Sequence, residues 1–241
     1  FSTNYQFAAL TANGSVETWG GSLSGGDSSS VASQLTSGVT EIFSNTMAFA
    51  ALKEDGSVVT WGGHLHETIM DGRFGGNSSS VAWQLSSGVT EIFSTSSAFA
   101  ALKDDGSVVT WGMSDDGGDS SSVASELTSG VSTIYSNGKA FAALKEDGSV
   151  VTWGGHSSEA NTDGRYGGDS SSASFELSSF INEIYPTSNG FTALTSPRVI
   201  PALENLKNFY ESDLNENIFI DVTPEPEYSY EPTDYSYQWS Y

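Results

Sequence analysis

Three short segments recur along the chain in fixed order: VTEIFS at 39–44, AFAALK at 48–53 and SVVTWG at 57–62. None reads as an amphipathic helix. Nor does AFAALK or SVVTW alternate strictly between apolar and polar, since both faces carry Ala, Phe, Leu, Val or Trp. This pattern predicts strands covered on both sides, as when similar sheets stack face to face. Between the second and third segments stand ANG, EDG, DDG and EDG, with Gly14, Gly56, Gly106 and Gly148 where a three-residue hairpin loop turns left-handed. The alanine pairs suit crowded sheets, and Trp19, Trp61, Trp111 and Trp153 fill the wider gap further out.

The four Trp-Gly pairs lie 42, 50 and 42 residues apart, so short and long units alternate in a block of 92. That block explains why ALKEDGSVVTWGGH stands both at 51–64 and at 143–156. Phe7, Phe49, Phe99, Phe141 and Phe191 mark the same strand five times, but GFTALTSPR breaks off before its turn and Trp. The repeat domain therefore spans 1–195, with units starting near 1, 43, 93 and 135 and a partial unit from 185. Between units, Asp followed by serines, then Val31, Leu35 and Gly38, predicts a capped helix of about two turns, with an outer strand or loop as the other reading.

The string A-L-x-x-D-G-S-V-V-T-W-G resembles the β-propeller repeat of the regulator-of-chromosome-condensation (RCC1-like) type, with its acidic-Gly turn and Trp-Gly strand end. Where that family carries Gly-Gln-Leu-Gly, the long units have Gly72 to Gly75 and Gly164 to Gly167. The chain also looks like the near-identical tandem repeats of large secreted or surface proteins of marine microorganisms. The resemblance implies an all-β, propeller-like array of about four blades with short inter-blade helices or loops. A β-solenoid is the alternative. The exchange activity of the family's founder is not implied, because fold does not carry function.

Composition narrows the partners. Eight basic against 30 acidic residues give a net charge of -22, which repels nucleic acid and anionic membrane surfaces alike. No apolar run is long enough to insert in a bilayer as a helix. Without cysteine there is no disulfide, thiolate site or Cys nucleophile. The chain opens on Phe1 inside a repeat, which reads as a piece of something longer.

Residues with chemical potential recur as turn elements. GGDSSS at 25–30, 117–122 and 167–172 contains a Gly-Asp-Ser like an esterase nucleophile, yet it repeats, the first two copies have no His in their own unit, and it reads as a cap or turn. His64, His66 and Glu67 offer a His-x-His pair, but the matching unit keeps only His156, so a solvated loop is the plainer reading. Asp115, Asp116 and Asp119 carry oxygen ligands of the kind calcium takes, without EF-hand spacing. No cofactor is expected beyond that calcium candidate.

Two regions are individual enough to bind. In the long-unit insertions, Arg73 with Phe74 and Arg165 with Tyr166 form small cationic and aromatic patches that suit a glycan or another surface protein. A packing corner is the other reading of those rings. From 196 to 241 the repeat gives way to an acidic, aromatic-rich extension, in which Tyr235, Tyr237, Trp239 and Tyr241 share one face if the segment is extended. Such a strand can add to a sheet edge of a neighbouring protomer. Together these features predict a non-enzymatic structural repeat protein, extracellular or on a cell surface, that associates with itself; the alternative is a multivalent lectin- or adhesin-like module.

Overall fold

The computed structural model describes residues 1–21, 26–63, 74–155, 166–174 and 176–195, and the description below is confined to them. Each apolar segment forms a strand paired antiparallel with its sequence neighbour. The first sheet holds β1 (Gln6–Leu10) and β2 (Val16–Gly20). Three full sheets follow: β3 (Val39–Ser44), β4 (Ala48–Lys53) and β5 (Val58–Gly62); β6 (Val89–Ser94), β7 (Ala98–Lys103) and β8 (Val108–Gly112); β9 (Val131–Ser136), β10 (Ala140–Lys145) and β11 (Val150–Gly154). A fifth contains β12 (Ile181–Thr187) and β13 (Gly190–Thr195). The described chain is thus a propeller-like, all-β array of five sheets, three of them three-stranded, in agreement with the propeller-like array expected from the repeats. In the first sheet, Phe1 exchanges backbone hydrogen bonds of 2.9 and 3.0 Å with Ala8, the trace of a strand preceding β1.

The sheets stack in chain order by one rule. In β4, Phe49 and Ala51 face the first sheet together with Val59 and Trp61, against Ala8 and Val16. Ala48, Ala50 and Leu52 point the other way, onto Phe99, Val109 and Trp111 of the third sheet. The third sheet repeats this against the fourth, with Ala98 and Ala100 under Phe141 and Trp153. Each Phe–Trp pair is a direct cross-strand neighbour, Phe49 opposite Trp61 and Phe99 opposite Trp111, with ring centroids 5.2 and 5.3 Å apart. Each three-stranded sheet therefore has an aromatic face and a small-residue face, and Phe49, Phe99 and Phe141 are wholly buried where such faces meet.

Turns lock neighbouring sheets together. Gly14, Gly56, Gly106 and Gly148 adopt φ of +78°, +73°, +73° and +77°. Their carbonyls accept from Val39, Val89, Val131 and Ile181 at 3.0 Å, each the first residue of the next sheet. A Cβ on Gly56 would lie 2.6 Å from the Gly88 nitrogen, so glycine is required there by conformation and by space. At the opposite hairpins a ladder crosses four sheets: Asn4 N–H donates to Thr46 O, Thr46 N–H to Ser96 O, and Ser96 N–H to Gly138 O.

The connections differ from the expected two-turn helix. They form 3-10 segments, Ser29–Gln34 in the first and only three residues at Ser79–Val81, Ser121–Val123 and Ser171–Ala173. The reason is local: Asp27, Asn77, Asp119 and Asp169 accept from the backbone N–H two residues on, at 2.9 to 3.0 Å, which tightens the chain before an α-turn can form. Each connection drops a leucine into the stack. Leu35, Leu85 and Leu127 are buried, and their carbonyls accept from Val16, Val58 and Val108.

Trp111→Ala should cost about 3–5 kcal/mol of stability in urea unfolding, the range for emptying a buried aromatic site. Trp19→Ala should cost about 1 kcal/mol or less, because 52 % of that side chain is already exposed. Gly56→Val should lose about 1–2 kcal/mol from the left-handed backbone alone, and more from its collision with Gly88; a shifted unfolding midpoint at unchanged slope would check it.

Candidate functional site

Residues that resemble catalytic groups are held in local structure. In each connection the serine after Gly-Asp or Gly-Asn ties to the outer strand, with Ser28, Ser78, Ser120 and Ser170 within 2.9 to 3.0 Å of the hydroxyls of Thr18, Thr60, Thr110 and Thr152. The same threonines donate to Gly26, Gly76, Gly118 and Gly168 carbonyls. Lysines do likewise: Lys53, Lys103 and Lys145 donate to carbonyls of Gln34, Gln84 and Glu126. In the hairpin tips Asp55, Asp105 and Asp147 accept from Ser57, Ser107 and Ser149, and these hydrogen bonds hold their carboxyls below the ordinary aspartate value. A depressed carboxyl supports the folded state above the unfolded pKa, and that support disappears as pH falls through the folded value.

The long-unit rings sit at packing corners. Phe74 lies against the core between the second and third sheets, and its carbonyl accepts from Asn45 Nδ2 at 2.6 Å. Tyr166 is partly buried, and its carbonyl accepts from Asn137 Nδ2 at 2.8 Å. Their partners Arg73 and Arg165, with His64, His66, Glu67 and His156, lie outside the described residues. So do Tyr235, Tyr237, Trp239 and Tyr241. Where a long unit has its aromatic residue, the short unit has Asp116, which is buried and pairs with Lys139 Nζ at 2.7 Å. Its Oδ2 has no hydrogen-bond partner. Asp119 instead accepts from Ser121, so the SDDGGD acids turn to separate tasks, and no described group of three acidic or His side chains is placed to hold a metal.

What remains open is apolar and lies on sheet surfaces. Phe7 and Trp19 stack at 5.6 Å on the aromatic face of the first sheet, yet about half of each is exposed. Phe1 and Tyr5 stand exposed nearby, and Glu17 occupies the position of Val59, Val109 and Val151. Trp83, where the other connections have Ser33, Ser125 and Phe175, is 76 % exposed. Along the first strands, Glu91 is raised above the ordinary glutamate value by desolvation among the packed sheets and then by the Glu41 carboxylate. Shallow grooves of about 610, 570 and 500 Å³ run between connections and outer strands, lined by a mixture of Ser, Thr, acidic and apolar residues.

One cavity differs. About 340 Å³ opens between the fourth and fifth sheets, with Leu177, Ile181, Ile184, Phe191 and Ala193 on its apolar wall and Thr152, Asp169, Ser170, Glu176 and Thr195 at its polar side. Sequence reading missed it. The available signal was that Phe191 begins a strand whose matching Trp never follows.

Three-stranded antiparallel sheets, each passing straight to the next and stacked face on face, decide the architecture. The chain is a propeller-like repeat array. No protein-family model matches it, and no curated protein does. Among solved structures the array is similar to Prp20p from Saccharomyces cerevisiae, at 15 % identity over 82 % of this chain and 50 % of that one, with a TM-score of 0.45. It is similar to human WBSCR16 at 18 % identity over 81 % and 57 %, TM-score 0.42. A third is the CRINKLY WD40 ectodomain of the Arabidopsis thaliana receptor kinase ACR4, at 16 % identity over 67 % and 51 %, TM-score 0.36. The chain spans about half the length of these structures. A structure of Kap60 bound to yeast RCC1 (Prp20) is similar to the same extent, at 15 % identity over 82 % of this chain and 48 % of that one, with a TM-score of 0.46.

In an NMR titration, Glu91 should protonate at higher pH than an ordinary glutamate, and Glu41→Gln should move it part of the way down. Ser57→Ala should raise Asp55 toward its ordinary value.

Proposed function

We propose that this array is a protein-interaction module, working in an extracellular or cell-surface setting, that binds further copies of itself. The observation that carries the reading is apolar surface on two sheets among the described residues: the half-exposed Phe7 and Trp19 of the first, and the cavity beside Phe191 of the fifth. Patches of this kind mark interaction sites on folded domains. The serines, aspartates and lysines that recur from unit to unit tie turns and connections to neighbouring strands, which supports a scaffold in place of an enzyme. Repetition supports it too, since each sheet serves chiefly to cover the next.

Self-association must work against a net charge of -22, so it should strengthen as salt screens like charges. Sedimentation velocity of the full chain over a wide concentration range, at low and moderate salt, should show oligomers that grow with both. A monomer under every condition would overturn the reading. Saturable binding on a glycan array, lost when Arg73 and Arg165 are changed to Ala, would then establish the lectin-like module in its place.

A further inference from the structure

The three complete sheets each present a small motif to the sheet before them. An apolar residue and a Trp two positions later, Val59 with Trp61, Val109 with Trp111 and Val151 with Trp153, share the inward face of the outer strand. The Trp ring stacks on the Phe opposite, and the indole N–H of Trp111 and Trp153 donates to Gly75 O at 2.9 Å and Gly117 O at 3.1 Å. In the fifth sheet β13 pairs with β12 alone among the described residues. Phe191 has no described Trp opposite it and is only partly buried, whereas Phe49, Phe99 and Phe141 are wholly so. The cavity occupies the place where the other sheets insert their Val and Trp. Its wall is otherwise preserved: a Cβ on Gly167 would lie 2.9 Å from the Phe191 ring, as one on Gly75 would lie 2.6 Å from Phe99.

We infer that this cavity and the adjoining edge of β13 form a strand-accepting site, and that its occupant is the segment Tyr237–Ser240 of a second copy. The inference rests on the self-association proposed above and gives it a contact. In Tyr-Gln-Trp-Ser, an apolar ring and a Trp stand two apart with polar residues between and after. That is the pattern of Val-Thr-Trp-Gly, and in an extended strand it sets Tyr237 and Trp239 on one face. Trp239 then stacks on Phe191 with its N–H toward Gly167, and Tyr237 takes the valine position. Main-chain hydrogen bonds to the open edge provide affinity, and the Trp site provides selectivity. The preceding TPEPEYSYEPTD carries three prolines and four acids. Each copy thus has one strand to give and one site to fill, a head-to-tail contact.

Two variants of the full chain test this. Trp239→Ala removes the donor, and Ala193→Leu fills the site from within while keeping the sheet apolar. Each alone should weaken association by at least about tenfold in sedimentation, the effect of a central anchor residue. Mixed, they should form dimers and nothing larger, because one retains the strand and the other the site. Oligomers unchanged in both variants would overturn this contact and leave self-association standing. A wild-type monomer at all concentrations would overturn self-association. If that monomer loses thermal stability on Trp239→Ala but not on Trp83→Ala, the strand fills its own chain's site, which also overturns the second-copy assignment.

Discussion

A stacked Phe–Trp pair pressed against the alanines of the preceding sheet is the contact on which the array depends. Neither half suffices alone. Alanine at positions 48, 50, 98 and 100 lets the sheets approach closely enough for a neighbouring ring to lie flat against the backbone, and the ring then excludes water from the whole inner surface. A larger side chain at an alanine would hold two sheets apart, and a smaller one at the Trp would leave a void that the rigid strands cannot close.

The other bonds maintain that separation. Turn glycines receive the first residue of the next sheet, the hairpin ladder from Asn4 to Gly138 joins the opposite tips, and connecting leucines seal the outer gap. These interactions link nearest neighbours, so the described stack behaves as a sum of units and shared interfaces. Asp116 and Lys139 show how a unit can depart from its sisters: a buried carboxylate paired with a partly exposed lysine replaces a ring, at the cost of one carboxylate oxygen left without a partner.

Much of this fold was legible in the sequence, because its determinants are local or periodic. Gly56 after Glu-Asp announces a left-handed turn in isolation, and AFAALK announces a strand covered on both faces. The 3-10 segments were less legible, since Asp27 and its serines suit a helix cap and a tight turn equally until the bond to Ser29 is seen. Exposure was hidden altogether: Trp19 and Trp61 stand in the same motif, yet only the second has a described sheet in front of it. The Phe191 cavity arises from a missing partner, which a motif search passes over. The insertions around Arg73 and Arg165 lie outside the described residues, so their rings are placed at the packing corner while their charges are not.

The two faces of each sheet also give the stack a direction. An aromatic face meets a small one at every internal junction and never its own kind, so the order of sheets cannot be reversed without setting ring against ring. A block of 92 residues begins and ends on the same kind of junction. It can be copied in tandem and re-enter the stack with matched faces on both sides, leaving no seam for later substitutions to repair. The identity of 51–64 with 143–156 is what such a seamless insertion leaves in the gene product.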